Sequence, residues 1–151
     1  MDMTGEHQIN APRAAVWAAL NDAEILKRSI AGCEELTKTA DNEFQARVTA
    51  KVGPVKAKFT GAVELSDILP LESYRLNGEG QGGVAGFAKG GALVTLEAED
   101  DATILRYEVG AAVGGKLAQL GARLIDSTAL KLADQFFARF GETVAGGGDA
   151  P

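Results

Sequence analysis

Residues 43–65 alternate apolar and polar side chains on both sides of Gly53-Pro54, and this constrains the fold more than any other stretch. Phe44, Ala46, Val48, Ala50 and Val52 are separated by Gln45, Arg47, Thr49 and Lys51. Beyond the turn, Val55, Ala57, Phe59, Gly61, Val63 and Leu65 are interleaved with Lys56, Lys58, Thr60 and Glu64. Successive side chains of a strand point to opposite faces, so the pattern predicts one hairpin with a wet face and a dry face. The dry face is largely small: Ala46, Ala50, Ala57 and Gly61 fill little volume. A face of that kind must either be approached closely or stand away from its cover, which points to a container rather than a reaction centre.

The rest of the chain supplies that cover. Residues 3–9 read as a first strand ending at Asn10-Ala11-Pro12, and Pro12 opens a short helix to about Leu20. Asn21-Asp22 breaks that helix and caps a second, which carries Ile25, Leu26 and Ile30 and stops at Gly32. Strands follow at 34–40, in the hairpin, and at 72–80, 87–98 and 102–113, with Asp100-Asp101 as a tight turn. From Gly115 the period changes. Leu117, Leu120, Leu124, Thr128, Leu132, Phe136 and Phe140 recur every three or four residues, as on one stripe of a helix over 116–141. Such a helix is about 39 Å long at 1.5 Å per residue. The expected domain is 1–144, with 145–151 a flexible glycine-rich tail. Hairpin-linked strands form an antiparallel sheet, and only the terminal helix is long enough to cover its dry face. Gly61, Gly78 and Gly80 would let the sheet bend and widen the gap beneath.

Composition narrows the functional classes. The chain has 151 residues, enough for one domain that hides roughly 70% of its unfolded surface. Apolar residues make up 46%, yet no run approaches the ~20 residues of a membrane-spanning helix. The acidic, polar N-terminus does not resemble a secretory signal, so the expected location is cytoplasmic. A net charge of −6 argues against a general nucleic-acid binder. Within 44–63, however, Arg47, Lys51, Lys56 and Lys58 stand without an acid. They read as a solvated outer face or, more sharply, as a basic tip for an anionic membrane surface or an acidic partner.

Catalytic signals are thin. His7 is the one histidine and Cys33 the one cysteine, too few for a zinc cluster or a nucleophile with its base, and no catalytic or metal-ligating set is assigned. Gly78, Gly80 and Gly83 fit GxGxxG in form, but Val84 to Lys89 leads into a strand rather than a helix. The run 78–91 reads instead as a flexible loop, a candidate gate over a cavity mouth. The expected cavity lining is Trp17, Phe59, Gly61, Leu76, Phe87, Val94, Leu96, Tyr107, Leu120, Leu124, Thr128 and Phe136. Such a wall suits a large apolar ligand held by area burial at ~25 cal/mol per Å². Tyr107 or Thr128 would offer an orienting hydroxyl.

Several strings resemble the G-component family of carbon monoxide dehydrogenase, within the START/Bet v 1/polyketide-cyclase (SRPBCC) superfamily. They are Gly5 with Ile9-Asn10-Ala11-Pro12, Val16-Trp17, Leu20-Asn21-Asp22, Ile30-Ala31-Gly32-Cys33-Glu34, Val52-Gly53-Pro54-Val55-Lys56-Ala57-Lys58-Phe59, Gly115-Lys116-Leu117-Ala118-Gln119-Leu120-Gly121 and Leu132-Ala133-Asp134-Gln135-Phe136-Phe137. Ala31 stands where members usually carry proline. The resemblance implies an α+β helix-grip: a seven-stranded curved antiparallel sheet around a long C-terminal helix, with two short helices after the first strand. It further implies a non-catalytic accessory protein that binds a quinone or lipid and serves a molybdenum enzyme as recruiter or electron-acceptor carrier. Under it the protein is cytoplasmic, peripheral at the inner face of the cell membrane, with Lys51, Lys56 and Lys58 as the contact. A polyketide-cyclase-like enzyme, or a docking module without a ligand, is the alternative.

Overall fold

Alternation and capping translate directly into elements. The computed structural model describes residues 1–147. Strand β1 (Asp2–Ile9) leads into helices α1 (Arg13–Leu20) and α2 (Ala23–Ser29). Pro12 caps α1 from one position before its first turn, and the Asp22 carboxylate caps α2 by accepting from the Glu24 and Ile25 amides at 2.9 and 3.3 Å. Strands β2 (Cys33–Ala40), β3 (Glu43–Val52), β4 (Val55–Leu69), β5 (Ser73–Gln81), β6 (Phe87–Glu99) and β7 (Ala102–Gly114) follow, then α3 (Lys116–Gln119) and α4 (Ala122–Gly147). All seven strands form one antiparallel sheet in the order β1-β7-β6-β5-β4-β3-β2, curved around α4 in the expected helix-grip.

Three local expectations are corrected. The helix read over 116–141 is two pieces, because Gly121 takes φ +90°, a backbone state that no α-helix continues through. The glycine-dense run 78–91 is not a loop. Its residues up to Gln81 and from Phe87 onward are paired in the β5–β6 ladder, and only a short turn at Gly82–Gly86 leaves it. Leu132 does not belong to the inward stripe of α4; it is 40% exposed, while Ala133 and Phe137 pack on the core. Helix α4 also runs through Gly147, into the stretch read as tail; the remainder of that tail, 148–151, lies outside the described residues.

The core occupies one end of the molecule. Ile9, Val16, Leu20, Leu96, Leu105, Phe140 and Val144 are all buried there, where α1, α2 and the C-terminal half of α4 meet β1, β6 and β7. Thr103, fully buried, satisfies its hydroxyl by donating to the Ala11 carbonyl at 2.8 Å. Among the described residues no helix is long and apolar enough to cross a membrane.

Candidate functional site

The site arises from a gradient of side-chain size along the sheet. On the inward face of β5 the residues run Tyr74, Leu76, Gly78, Gly80; on β6, in antiparallel register, they run Val94, Ala92, Gly90, Ala88. The paired rows extend sideways as Val63, Gly78, Gly90, Ala111 and as Ala46, Gly61, Gly80, Ala88, Val113. Leucine and tyrosine therefore fill the space at the core end, and glycine and alanine leave it unfilled at the other. A methyl group built on Gly80 would meet no atom within 4 Å.

The result is a hollow of about 390 Å³ between sheet and helix that opens to solvent. Its floor is Gly61, Gly78, Gly80, Ala88 and Ala92, and its rim is Val48, Phe59, Val63, Leu76 and Val109. Inward-facing side chains here are all apolar, since Glu79 and Lys89 alternate to the opposite face and border the hollow through their backbone. An arrangement of this kind can hold an apolar molecule by area burial. It offers no charge to stabilise a transition state.

Of the expected lining, Phe59, Gly61 and Leu76 border the hollow. Val94, Leu96 and Tyr107 lie in the packed core, and half-buried Trp17 stands edge-on to Tyr74 at 5.6 Å. Phe136 stacks on Phe140 at 5.6 Å in the interior of α4. Leu124 touches the hairpin turn at Gly53, Leu120 sits in the α3–α4 junction, and Thr128 is half-buried on α4. Phe87 is 40% exposed, with its ring over Gly114. Sequence reasoning missed Val48, Val63, Gly78, Gly80, Ala88, Ala92 and Val109. The usable signal was the strand phase through 74–80 and 88–94, which the density of glycines disguised.

Beside the hollow lies an aromatic stack. His7 stacks on Phe137 at 4.4 Å and Tyr107 on Phe137 at 5.5 Å, with His7 Nε2 at 4.0 Å from Asp134. The Tyr107 ring lies flat over Gly5, where any Cβ would overlap it. Its hydroxyl is buried without a hydrogen-bond partner among the described residues. Burial, helped by the Asp134 charge, pushes the Tyr107 phenol up, and burial pushes Tyr74 up.

A second depression, about 530 Å³, lies on the opposite, wet face of the same strands, walled by Glu43, Gln45, Glu64, Asn77, Glu79 and Lys89. It is the larger of the two, but its polar wall suits charge rather than an apolar ligand. No group of three or more His, Cys, Asp or Glu among the described residues is placed to hold a metal ion.

The same architecture recurs in known proteins. The family of the carbon monoxide dehydrogenase G component (CoxG) matches residues 5–145. The chain belongs to the CoxG family. No curated protein matches it in sequence. Among solved structures it is similar to a conserved protein from Geobacillus kaustophilus, with 30% identity, 96% of this chain and 95% of that one covered, and a TM-score of 0.90. An aromatase/cyclase from Streptomyces sp. R1128 shares 12% identity at TM-score 0.63, covering 95% of this chain and 93% of that one. The protein Ara h 8.0201 shares 12% identity at TM-score 0.64, covering 95% and 97%. The last two likenesses are of fold alone. Membership of CoxG, with the fold of these neighbours, makes the chain a ligand-binding accessory protein in general terms.

Proposed function

We propose that this CoxG member carries a neutral hydrophobic small molecule, a quinone or lipid, in the hollow, and serves a carbon monoxide dehydrogenase-type molybdenum enzyme as recruiter or electron-acceptor carrier, without catalysis of its own. The observation that supports this is the tapering inner layer, Leu76 to Gly78 to Gly80 against Ala92 to Gly90 to Ala88, which opens an apolar space. Its volume falls within the roughly 300–1,000 Å³ usual for small-molecule sites. A ring system matches a floor of glycine and alanine because nothing projects from it, and a long tail would pass out through the mouth. A cyclase-like role would need polar side chains converging on the space, and the inward positions carry none. The exposed Lys51 and Lys56 at the hairpin turn would be where the protein meets an anionic surface.

The test is titration with decylubiquinone, followed through Trp17 fluorescence and thermal stability, in the wild type and in Gly80→Leu. Saturable binding that the substitution abolishes, with an unchanged far-UV spectrum, is the expected result. Binding that survives a filled hollow would place the ligand elsewhere and overturn the proposal. Its second half requires that the loaded protein be captured by the molybdenum enzyme.

A further inference from the structure

The wet face of the β3–β4 ladder places like charges directly opposite each other twice. Lys51 pairs with Lys56 beside the hairpin turn, and Glu43 pairs with Glu64 at the far end. Opposed like charges repel across a ladder. The intervening cations are neutralised, Arg47 by Glu35 at 3.2 Å and Lys58 by Glu34 at 3.6 Å. Among the described residues no ion pair reaches Lys51, Lys56, Glu43 or Glu64. All four are exposed.

The strip is thus basic at one end and acidic at the other, with the Arg47–Thr60 pair midway between. Its ends are roughly 27 Å apart at ~3.4 Å per strand residue. That exceeds the ≈10 Å over which charges interact at 0.1 M salt, so the ends cannot neutralise each other within one chain. An anionic membrane would satisfy the lysines and leave the glutamates repelling, and a basic peptide would do the reverse. A second copy satisfies both ends at once, because a two-fold axis makes any such strip its own complement. The groove beside Glu43 and Glu64, about 530 Å³, leaves room for lysine side chains to enter.

We propose that two copies of this chain dock face to face through the β3–β4 strip, about a two-fold axis near Arg47 and Thr60, with Lys51 and Lys56 of each copy in the acidic groove of the other. The association is independent of what the hollow holds. Two strands offer fewer than the ~20–30 residues a side of a standard interface, so the dimer is weak and governed by salt.

Sedimentation velocity of the full chain, at up to roughly 100 μM and in about 20 mM and about 500 mM salt, tests this. Expected is a dimer at low salt whose dissociation constant rises at least ten-fold at high salt. K51E/K56E and E43K/E64K should each be monomeric, with wild-type far-UV spectra. An equimolar mixture of the two should recover the dimer, since each supplies the charge that the other lacks. A monomeric wild type at low salt, a dimer indifferent to both variants, or a mixture that stays monomeric overturns the proposal. So does a monomer that binds vesicles of anionic phospholipid through Lys51 and Lys56, which would give those lysines to a lipid surface.

Discussion

Two glycines on the inward face, Gly5 and Gly80, have opposite surroundings. Gly5 is roofed by the Tyr107 ring, so even alanine forces the ring or the strand to move. Gly5→Ala is expected to cost about 1–3 kcal/mol, the usual penalty for overpacking. Gly80 faces empty space with no left-handed backbone requirement. Gly80→Ala is expected to be neutral or to stabilise by up to about 1 kcal/mol, because alanine loses less conformational freedom in a strand. Urea denaturation of the pair reads the difference, and matching signs would contradict the placement of the hollow. Tyr107 supplies a second contrast. Its hydroxyl is buried and unpartnered, so Tyr107→Phe should leave stability unchanged or raised by about 1 kcal/mol. The phenols of Tyr107 and Tyr74 are both raised by burial, so the folded state holds their protons longer than the unfolded chain does. Their contribution to stability is complete below about pH 10 and declines as pH rises beyond it, by about 1.4 kcal/mol per pH unit for each tyrosine. Denaturation curves between neutral pH and pH 11 should show that decline, shallower in the phenylalanine variant.

At the scale of elements, helix α4 shows why a correct period can still assign a wrong residue. Leu124, Thr128, Leu132, Phe136 and Phe140 are spaced by four, and at 3.6 residues per turn each such step drifts about 40° around the axis. Phe140 is fully buried, and counting back from it the stripe has turned well away by Leu132, which is 40% exposed. Ala133 and Phe137 lie nearer the buried meridian and pack on the core. Phe140→Ala should therefore cost about 3–5 kcal/mol and Leu132→Ala under about 1 kcal/mol, although the two look alike in the periodic pattern. Comparable losses in thermal denaturation would contradict this orientation of α4. The junction at Gly121 was equally hidden, because Leu117 and Leu120 keep helical spacing across a break that only the backbone angle reveals.

For the molecule as a whole, a packed end and an open end share one sheet. The packed end carries the stability, with α1, α2 and the C-terminal half of α4 closing over β1, β6 and β7. The open end keeps an apolar surface in contact with water, so any ligand that covers it also stabilises the fold. At a hundred-fold excess over its dissociation constant, decylubiquinone should add about 2.7 kcal/mol. For a domain of this size that is a rise of roughly 5–10 °C in Tm, and Gly80→Leu should show none.

The element order, the wet and dry faces of the β3–β4 hairpin and the change to a helical period after Gly115 could all be read from the chain itself. Each depends on neighbours within a few residues, where strand and helix geometry dictate which side chains share a face. The position of the hollow could not be read that way. Gly78 and Gly90 looked like loop residues until cross-strand pairing set them side by side beneath Ala111 and Val63. Register between strands, the rotation of α4 about its axis and the seating of Tyr107 over Gly5 are settled by contacts between residues far apart in sequence. No local period encodes them, and only the folded sheet brings the small residues together into one floor.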